Sequence, residues 1–280
     1  MKLDYTELSN KVPLDVRSRR LRHLVLDALE GSGRGHLGPA LSLLEIVRTL
    51  YDSVLVHDST NVSFAQRDRF ILSKGHGCLG LYVVLSDHGY FSTSDLKKFC
   101  SFDASIGGHP ESATLPGIEF STGSLGHGLS AGIGMAMAAR LRNEKWRTFV
   151  LLGDGELNEG SIWEAALHAS HHQLGALTII IDFNGMQASG KTNSVVSLHP
   201  LVDKWRAFGF NVLEVNGHNI LEIEKSLNAS VIQFDKPRVI IAHTVKGKGI
   251  KSAEHSTDWH HKAKINKYEL DMLRKEVDNL

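Results

Sequence analysis

A strand–helix–strand pattern across residues 148–187 constrains the fold of this chain more than any other feature. Residues 149–152 form a continuous apolar run, which is typical of a strand buried on both faces. A helical pattern at residues 158–172 follows, with its alanines spaced for one buried face, and a second apolar run covers residues 177–181. Because a crossover helix joins the two strands, the pattern predicts that they are parallel.

Asp154 and Asn184 each lie just past the end of one of these strands, at the edge where open parallel sheets bind ligands. With the backbone carbonyl of Met186 they offer hard oxygen ligands that carry one charge. This set suits Mg²⁺, with an anionic diphosphate as the expected co-ligand. An Asp after a strand is also a common helix N-cap, and Asn-Gly is a common turn. The pair, with glycines beside both residues, favours the ligand interpretation.

The composition is that of a globular protein and does not point to nucleic acid or an anionic membrane as a partner. In 280 residues, 42% are hydrophobic and 22% are charged, and the formal net charge is zero. Two cysteines, Cys78 and Cys100, do not make a disulfide framework, so a reducing cytoplasm is the expected location. There is neither an apolar signal core at the start nor an apolar run of membrane-spanning length.

The alternation of helices and strands continues through the chain. Further strands are predicted at residues 69–72, 209–215 and 238–243, and further helices at residues 42–51, 79–88, 94–99, 221–233 and 266–277. The predicted fold is therefore α/β, with a doubly wound, mostly parallel sheet and helices on both faces. We expect residues 1–280 to form a single domain.

Two helices carry further expectations. The helix predicted at residues 14–30 should end at Gly31, and its arginines should form a solvated face; they are Arg17, Arg19, Arg20 and Arg22. In the helix predicted at residues 125–142, Gly128, Gly132 and Ala136 recur every four residues, so another backbone can come close. We expect that face to pack tightly against a neighbouring subunit or domain.

Several histidines stand beside glycines in predicted turns. His36 lies in the glycine-rich stretch 31–38, His76 in a turn after the strand at 69–72, and His109 in a third turn. His76 taken alone would more often be a helix-cap or surface residue. The stretch VKGKG at residues 245–249 has two cations and two glycines after the last strand, and it is a plausible anion site.

Two strings resemble a known family. GDG, a spacer of under thirty residues and then N resembles the thiamine-diphosphate signature, and GDGELNEGSIWEAALHASH closely resembles the transketolase family. The resemblance runs from about Leu21 to Ala263. It implies the thiamine-diphosphate-binding fold and a diphosphate-type domain. It also implies that Asp154, Asn184 and the Met186 carbonyl bind Mg²⁺, which anchors the cofactor diphosphate.

The resemblance also places other residues of this chain at the site. The implied substrate-contacting, catalytic residues are His36, His109 and His260. The implied cofactor-binding residues are His76, Gly123, Leu125, Gly153, Asp154, Gly155, Glu159, Asn184 and His260. Three positions depart from the family pattern: Leu37 stands where Pro is usual, His127 where Gln is common, and His261 where Gly is common.

Two glutamates are ambiguous. In the resemblance, Glu159 and Glu164 lie near the subunit interface and help to couple the sites. Ser161 and Glu164 also fit a capping box, in which case Glu164 only caps its helix.

The resemblance implies transfer of a two-carbon ketol unit from a ketose to an aldose. From the resemblance we expect the domain that binds the pyrimidine, with its essential Glu, and a C-terminal domain to lie on a partner chain rather than on this one. We therefore expect an inactive subunit that works with a second chain, as a two-plus-two heterotetramer. The sugars, and whether they are phosphorylated, stay open. Alternatives are a thiamine-dependent synthase of the deoxyxylulose-phosphate type, which decarboxylates pyruvate, and a cofactor-binding remnant with a regulatory role.

Two nucleotide-binding patterns compete with this interpretation. Residues 185–192, GMQASGKT, fit the P-loop expression and follow a strand. A P-loop needs a helix that begins at Lys191-Thr192, and the residues that follow, up to Pro200, are a poor helix start. Residues 126–131, GHGLSA, resemble a dinucleotide fingerprint but lack a preceding strand and a later acidic residue. Both are therefore disfavoured.

Overall fold

A parallel β-sheet forms the centre of the structure, a computed structural model that describes residues 4–228 and 236–280. Its strands are β1 (Arg69–Leu72), β2 (Thr148–Gly153), β3 (Leu177–Phe183), β4 (Asn211–Asn216) and β5 (Arg238–His243). Within the described residues their order is β1-β2-β3-β5-β4, and each neighbouring pair is parallel. The predicted doubly wound α/β fold is confirmed.

Helices cover both faces of the sheet. They are α1 (Tyr5–Lys11), α2 (Val16–Ser32), α3 (Leu37–Ser42), α4 (Leu44–Thr49), α5 (Cys78–Asp87), α6 (Gly128–Leu141), α7 (Gly160–His171), α8 (Thr192–Val195), α9 (Leu201–Ala207), α10 (Ile220–Leu227) and α11 (Lys267–Asp278). A π-helical turn (Leu50–Val54) and 3₁₀ turns (Gly75–Gly77, Thr93–Lys98, Gly155–Asn158) complete the described helical segments. No described helix is long and apolar enough to cross a bilayer.

Side chains along each strand alternate between two apolar cores because successive residues point to opposite faces. In β2, Phe149 and Leu151 enter the core beneath α2, α4, α5 and α10, whereas Val150 and Leu152 enter the core beneath α6, α7 and α9. All four side chains are fully buried. This two-sided burial explains why the strands appear in the sequence as continuous apolar runs.

The glycine-bearing face of α6 packs against the chain's own sheet. A Cβ atom added at Gly128 would lie 2.4 Å from Ser73 Oγ, and one at Gly132 would lie 2.4 Å from Val150 Cγ2. The prediction that this face contacts a neighbouring subunit or domain is therefore wrong. The face is closely packed as predicted, but it packs against β1 and β2 of the same chain.

Helix α2 differs from its prediction at two points. It continues past Gly31 to Ser32, and Gly33 ends it in the left-handed conformation at φ 63°, with its N–H donating to the Leu29 carbonyl. Gly31 instead admits the backbone of the segment Thr93–Lys98, since a Cβ there would lie 1.9 Å from the Lys97 carbonyl oxygen. Arg22 is wholly buried and paired with Glu45, so it does not belong to a solvated face.

Two other predicted helices are shorter or divided. The helix predicted at residues 42–51 is divided between α3, α4 and the π-helical turn. Of the helix predicted at residues 221–233, α10 covers Ile220–Leu227, and residues 229–233 lie outside the described part of the chain.

A pair of glycine substitutions in α6 tests its packing against the sheet. Gly132→Ala should lower the free energy of unfolding by about 1–3 kcal/mol, because the new methyl group overpacks against Val150. Gly134 faces open space, with nothing within 4 Å of an added Cβ, so Gly134→Ala should raise the free energy by up to about 1 kcal/mol. Urea unfolding measures both changes, and equal effects from the two substitutions would contradict the packing described.

Candidate functional site

The candidate site is a cavity of about 260 Å³ at the carboxyl ends of the strands. It lies where β1, β2, β3 and β5 end, as expected for an open parallel sheet. The residues that line it are Pro39, Lys74, His76, Gly123, Leu125, Gly153, Asp154, Gly155, Glu156, Asn184, Met186, Gln187, Ala188, Lys246 and His260. The structure thus brings together most of the predicted site residues; His36, His109 and Glu159 are not among those lining the cavity.

Asp154 follows β2 and is almost fully buried, with 2% of its surface exposed. Its Oδ1 accepts a hydrogen bond from the Gly155 N–H at 2.8 Å, so it also caps the 3₁₀ turn Gly155–Asn158. Its Oδ2 accepts from the Gly185 N–H at 2.6 Å and from Thr192 Oγ1 at 3.2 Å. These donors fix the carboxylate against the turn that follows β3.

Asn184 opens that turn. Its Oδ1 accepts a hydrogen bond from the Met186 N–H at 3.0 Å, and its Nδ2 lies 3.4 Å from Asp182 Oδ2. The Met186 carbonyl lies 3.4 Å from Lys246 Nζ. The carboxylate, the amide oxygen and the carbonyl that were predicted as metal ligands therefore belong to residues that line one cavity.

A buried ion pair joins Lys74, which lines the cavity, to Asp182 behind it. Lys74 Nζ donates to Asp182 Oδ2, and the hydroxyls of Ser42 and Thr244 also donate to this carboxylate. Burial alone would raise the pKa of Asp182, but the Lys74 ammonium and the hydroxyl donors lower it. Sequence reasoning missed this pair, although Asp182 stands two residues before Asn184 on the same face of the chain.

The electrostatics of Asp154 favour a cation. Burial, and then the negative charge of Asp182, raise the pKa of Asp154 to about 6, and the Lys74 ammonium offsets only part of this. The donors to Asp154 named above are all neutral groups. A divalent cation bound by Asp154, Asn184 and the Met186 carbonyl would favour the ionised carboxylate, so this donor set fits Mg²⁺.

Glu156 is a further buried carboxylate that sequence reasoning missed. It accepts hydrogen bonds from Ser73 Oγ, from the Gly126 N–H at 2.9 Å and from the Gly153 N–H at 3.1 Å. It therefore joins the ends of β1 and β2 to the loop that carries Gly123 and Leu125. A charged residue inside the string GDGE was the available signal.

Five histidines meet at the cavity, and two of them, His76 and His260, line it. The ring centroid of His36 lies 5.6 Å from that of His76, 6.0 Å from His109, 5.7 Å from His260 and 4.5 Å from His261. His76 and His260 are 5.2 Å apart. The three predicted substrate-contacting histidines are thus neighbours, and His261, a departure from the family pattern, joins them.

Three of these histidines, His36, His76 and His260, have a lowered pKa and are therefore neutral at pH 7. Burial, and then neighbouring cationic groups, lower the pKa of His36 to about 4 and that of His260 to about 3, and they hold the pKa of His76 well below its usual value. Burial, and then Lys74, lower the pKa of Lys246 to about 8. Neutral imidazoles can accept hydrogen bonds as well as donate them.

Helix α5 holds the loop that carries His109. The Tyr82 hydroxyl lies 3.1 Å from the Gly107 carbonyl oxygen and 2.8 Å from the His109 carbonyl oxygen, and Cys78 Sγ lies 3.1 Å from the Gly108 carbonyl oxygen. Tyr82 and Cys78 stand four residues apart, on one face of the helix. A rigid helix therefore supports this histidine.

The two lysines of the predicted anion site separate. Lys246 Nζ reaches the cavity, where it lies 2.7 Å from His260 Nδ1. Lys248 Nζ instead donates to the carbonyls of Ser9 at 3.0 Å and Asn10 at 2.9 Å, at the end of α1. Only the first lysine can serve a ligand of the cavity.

The two ambiguous glutamates are exposed. Helix α7 begins at Gly160, with Glu159 as its N-cap residue, and the Ser161 hydroxyl donates to the Gly126 carbonyl at 3.0 Å. The capping box predicted for Ser161 and Glu164 does not form. Glu159 lies against Gly126, beside the cavity rather than in its wall.

The other two departures lie next to site residues. Leu37 is fully buried and opens α3 directly after His36. His127 is exposed, and its Nδ1 lies 3.0 Å from the Leu125 carbonyl oxygen.

Residues 185–192 form a hairpin turn rather than a P-loop. Met186 pairs with Lys191 in an antiparallel bridge, the Gln187 N–H donates to the Gly190 carbonyl at 2.7 Å, and the Thr192 N–H donates to the Gly185 carbonyl at 2.9 Å. The following α8 has only four residues. The long helix whose N-terminus would hold a phosphate is absent from this described segment.

A pH titration tests the electrostatics of the histidines. The ring resonances of His36 and His260 should shift only below about pH 5, far under the usual pKa of 6.5. Between pH 6.5 and 4 the unfolded chain binds protons that the folded chain does not, so the free energy of unfolding should fall as the pH falls. NMR of the chain measures the ring titrations, with His36→Gln to assign the His36 resonance. Urea unfolding at several pH values measures the free energy. A normal titration of either ring would contradict the burial described.

Comparison with known proteins agrees with this geometry. Residues 16–278 match the family described as transketolase, thiamine diphosphate binding domain. The chain is 42% identical to a protein from Actinobacillus succinogenes that is described as a subunit of apulose-4-phosphate transketolase, over 93% of this chain and 92% of that protein. A second protein of the same description, from Phocaeicola vulgatus, is 40% identical over 89% of this chain and 88% of its own length.

A solved transketolase has the same fold. The structure of the Pichia stipitis enzyme in complex with sedoheptulose-7-phosphate superposes with a TM-score of 0.86 at 29% identity, covering 93% of this chain. The match spans only 40% of that enzyme's chain, so this chain has less than half its length. The chain therefore belongs to the transketolase family, and the part of that family which it matches is the thiamine diphosphate binding domain.

Proposed function

We propose that this chain binds thiamine diphosphate through Mg²⁺ and forms one half of the active site of a two-subunit transketolase. The enzyme would move a two-carbon ketol unit from a ketose to an aldose. The observation that carries the proposal is the position of Asp154, Asn184 and Met186 around one cavity at the ends of β2 and β3. Their oxygens would bind Mg²⁺, and the metal would bind the cofactor diphosphate.

The charges around the cavity support an anionic cofactor. Lys246 and His76 line it, and both offer N–H donors to phosphate oxygens. Gly123 and Gly155 also line the cavity, and the missing side chain at Gly155 leaves room for Gln187, because a Cβ there would lie 2.9 Å from Gln187 Cγ. When bound, the thiazolium ring supplies the nucleophilic carbon and the electron sink.

The chain's own part in the chemistry is to bind the sugar and to move protons. His36, His109 and His260 stand together beside the cavity. Because His36 and His260 are neutral at pH 7, each can accept a proton from a sugar hydroxyl or donate a hydrogen bond to a sugar oxygen. Their burial would also keep water away from the reacting carbon.

Binding measurements on matched variants test the cofactor site. Asp154→Ala should abolish Mg²⁺-dependent binding of thiamine diphosphate, because it removes the only charged ligand in the set. Lys191→Ala should bind as the wild type does, since Lys191 lies in the hairpin and does not line the cavity. Isothermal calorimetry with and without Mg²⁺ measures both.

The opposite pattern would support the rival function. If Lys191→Ala lost binding of a nucleoside triphosphate while Asp154→Ala kept its properties, the P-loop interpretation would replace this one. If wild-type protein bound neither ligand, the proposed cofactor would be wrong.

We infer that a second subunit completes the site. A cavity of about 260 Å³ is smaller than the roughly 300–1,000 Å³ typical of pockets that enclose a whole organic ligand, so it suits the diphosphate half of the cofactor. The partner would carry the pyrimidine-binding domain and its Glu. The single diphosphate-binding domain and the two-plus-two heterotetramer are part of the same proposal.

Turnover with and without a partner tests that requirement. The purified chain alone should show no ketol transfer from a panel of free and phosphorylated ketoses, because the Glu that would activate the cofactor's aminopyrimidine is proposed to lie on the partner. Addition of the co-purifying or genetically neighbouring subunit should restore it. Substantial turnover by the chain alone would contradict the two-subunit proposal. The two relatives named for apulose-4-phosphate make phosphorylated ketoses the first substrates to assay.

A further inference from the structure

Three buried side chains form a network outside the cavity that the function above does not use. They are Arg22 of α2, Glu45 of α4 and His218, which follows β4; none is more than 2% exposed. The guanidinium of Arg22 binds both carboxylate oxygens of Glu45, at 2.8 and 3.2 Å. Glu45 Oε2 lies 2.8 Å from His218 Nδ1. Burial would raise the pKa of Glu45, but the Arg22 guanidinium, and then His218, lower it far below its usual value.

The hydrogen bonds determine the tautomer of His218. The Val245 N–H lies 2.9 Å from His218 Nε2, and a backbone N–H can only donate, so Nε2 must accept. The ring proton is therefore on Nδ1, where it is donated to the Glu45 carboxylate. Burial lowers the pKa of His218, in agreement with a neutral ring. A carboxylate that orients a histidine is a common way to fix a ring nitrogen as an acceptor.

The network holds the segment 245–248 at both ends. At one end His218 accepts from the Val245 N–H. At the other end Arg22 Nε donates to the Lys248 carbonyl at 2.8 Å. The next residue, Gly249, has a φ of 89°, and a Cβ there would lie 2.6 Å from Leu14 Cδ1 and 2.8 Å from Arg22 Nε, so this position requires glycine.

Lys246 lies inside this clamped segment and points to the cavity. Its Nζ lies 3.2 Å from the Gln187 carbonyl oxygen, 3.4 Å from the Met186 carbonyl oxygen and 2.7 Å from His260 Nδ1. A lysine side chain has four rotatable bonds and considerable rotamer entropy. A fixed backbone limits the positions that the ammonium can reach and keeps these partners within its range.

We propose that Arg22, Glu45 and His218 are positioning residues that clamp the backbone of residues 245–248 and so aim Lys246 at the anionic part of the ligand. This inference rests on the proposed function only for the identity of the ligand. The clamp itself is a property of the folded chain, so it can be tested separately.

Amide hydrogen exchange on the full-length chain tests the clamp without any ligand. His218→Phe fills a similar volume but cannot accept from the Val245 N–H, so exchange of that amide should become at least about tenfold faster. His218→Gln places a carbonyl oxygen near the Nε2 position, and exchange should stay close to that of the wild type. Amides of β2 serve as the control for global stability and should not change in either variant.

Glu45→Gln tests the same segment by changing the partner of His218 rather than His218 itself. In this variant one neutral carbonyl oxygen replaces the two charged oxygens that now accept from the Arg22 guanidinium and from His218 Nδ1–H, so the ring loses the charged acceptor that orients it. Val245 exchange should therefore accelerate in this variant as well, although His218 is unchanged. Unchanged exchange of Val245 in both His218→Phe and Glu45→Gln, or no rescue by His218→Gln, would overturn the clamp.

A double-mutant cycle then tests whether the clamp acts through Lys246. Calorimetry would measure binding of thiamine diphosphate with Mg²⁺ to the full chain, together with any co-purifying partner. Lys246→Ala should weaken binding about tenfold, which corresponds to one lost charge-assisted hydrogen bond. His218→Phe should weaken it to a similar degree, and the double variant should be no weaker than Lys246→Ala alone.

Each outcome bears on one proposal. Additive losses in the double variant would mean that His218 acts elsewhere, and would overturn the link to Lys246. Failure of the wild type to bind thiamine diphosphate would refute the proposed cofactor, whereas the exchange experiment would still decide the clamp.

Discussion

Two carboxylates buried side by side govern the rest of this structure. Asp182 lies in β3, and Asp154 follows Gly153, the β2 residue that pairs with Asp182 in the sheet. Like charges so close in a buried place cannot both be ionised without cations nearby. Lys74 neutralises Asp182, and the pKa of Asp154 stays raised, first because of burial and then because of the Asp182 charge, which the Lys74 ammonium offsets only in part. The folded chain thus carries an electrostatic strain that a bound divalent cation would relieve.

The lowered pKa values of the histidines at the cavity also come from buried charges that lie close together. Lys74 and Lys246 are held close to each other and to His76 and His260, and this proximity, after burial, keeps the rings uncharged. A concentration of positive charge beside neutral imidazoles suits an anionic ligand with a polar, uncharged reacting end. The proposed pair of a diphosphate and a sugar has this distribution of charge.

Support for the site comes from layers of buried polar contacts behind it. Glu156 joins two strand ends to a loop of the cavity, Tyr82 holds the His109 turn, and His218 holds the Lys246 segment. Each is a long-range contact between elements far apart in the chain. Groups that must be placed within fractions of an ångström need supporting residues of this kind.

Some predictions failed for one physical reason, namely that the partner of a residue could not be known from its neighbours. Arg22 looks like one more member of a charged helix face until Glu45 and His218 are placed beside it. Gly31 resembles a helix stop, but the backbone at Lys97 accounts for it, and Gly33 two residues later ends the helix. Ser161 fits a capping box, and yet its hydroxyl turns to Gly126.

The sequence by itself determined the strands, because burial on both faces leaves a continuous apolar run. It also determined that they are parallel, since a crossover helix permits only that direction, and this places Asp154 and Asn184 at one edge of the sheet. It also indicated the family, through residues that stand close together in the chain. Only the tertiary structure decided that Lys74 and Asp182 are paired, that five histidines meet, and that α6 packs its glycines on its own sheet. Those contacts join residues from separate elements, and their energies depend on distances that exist only after the chain has folded.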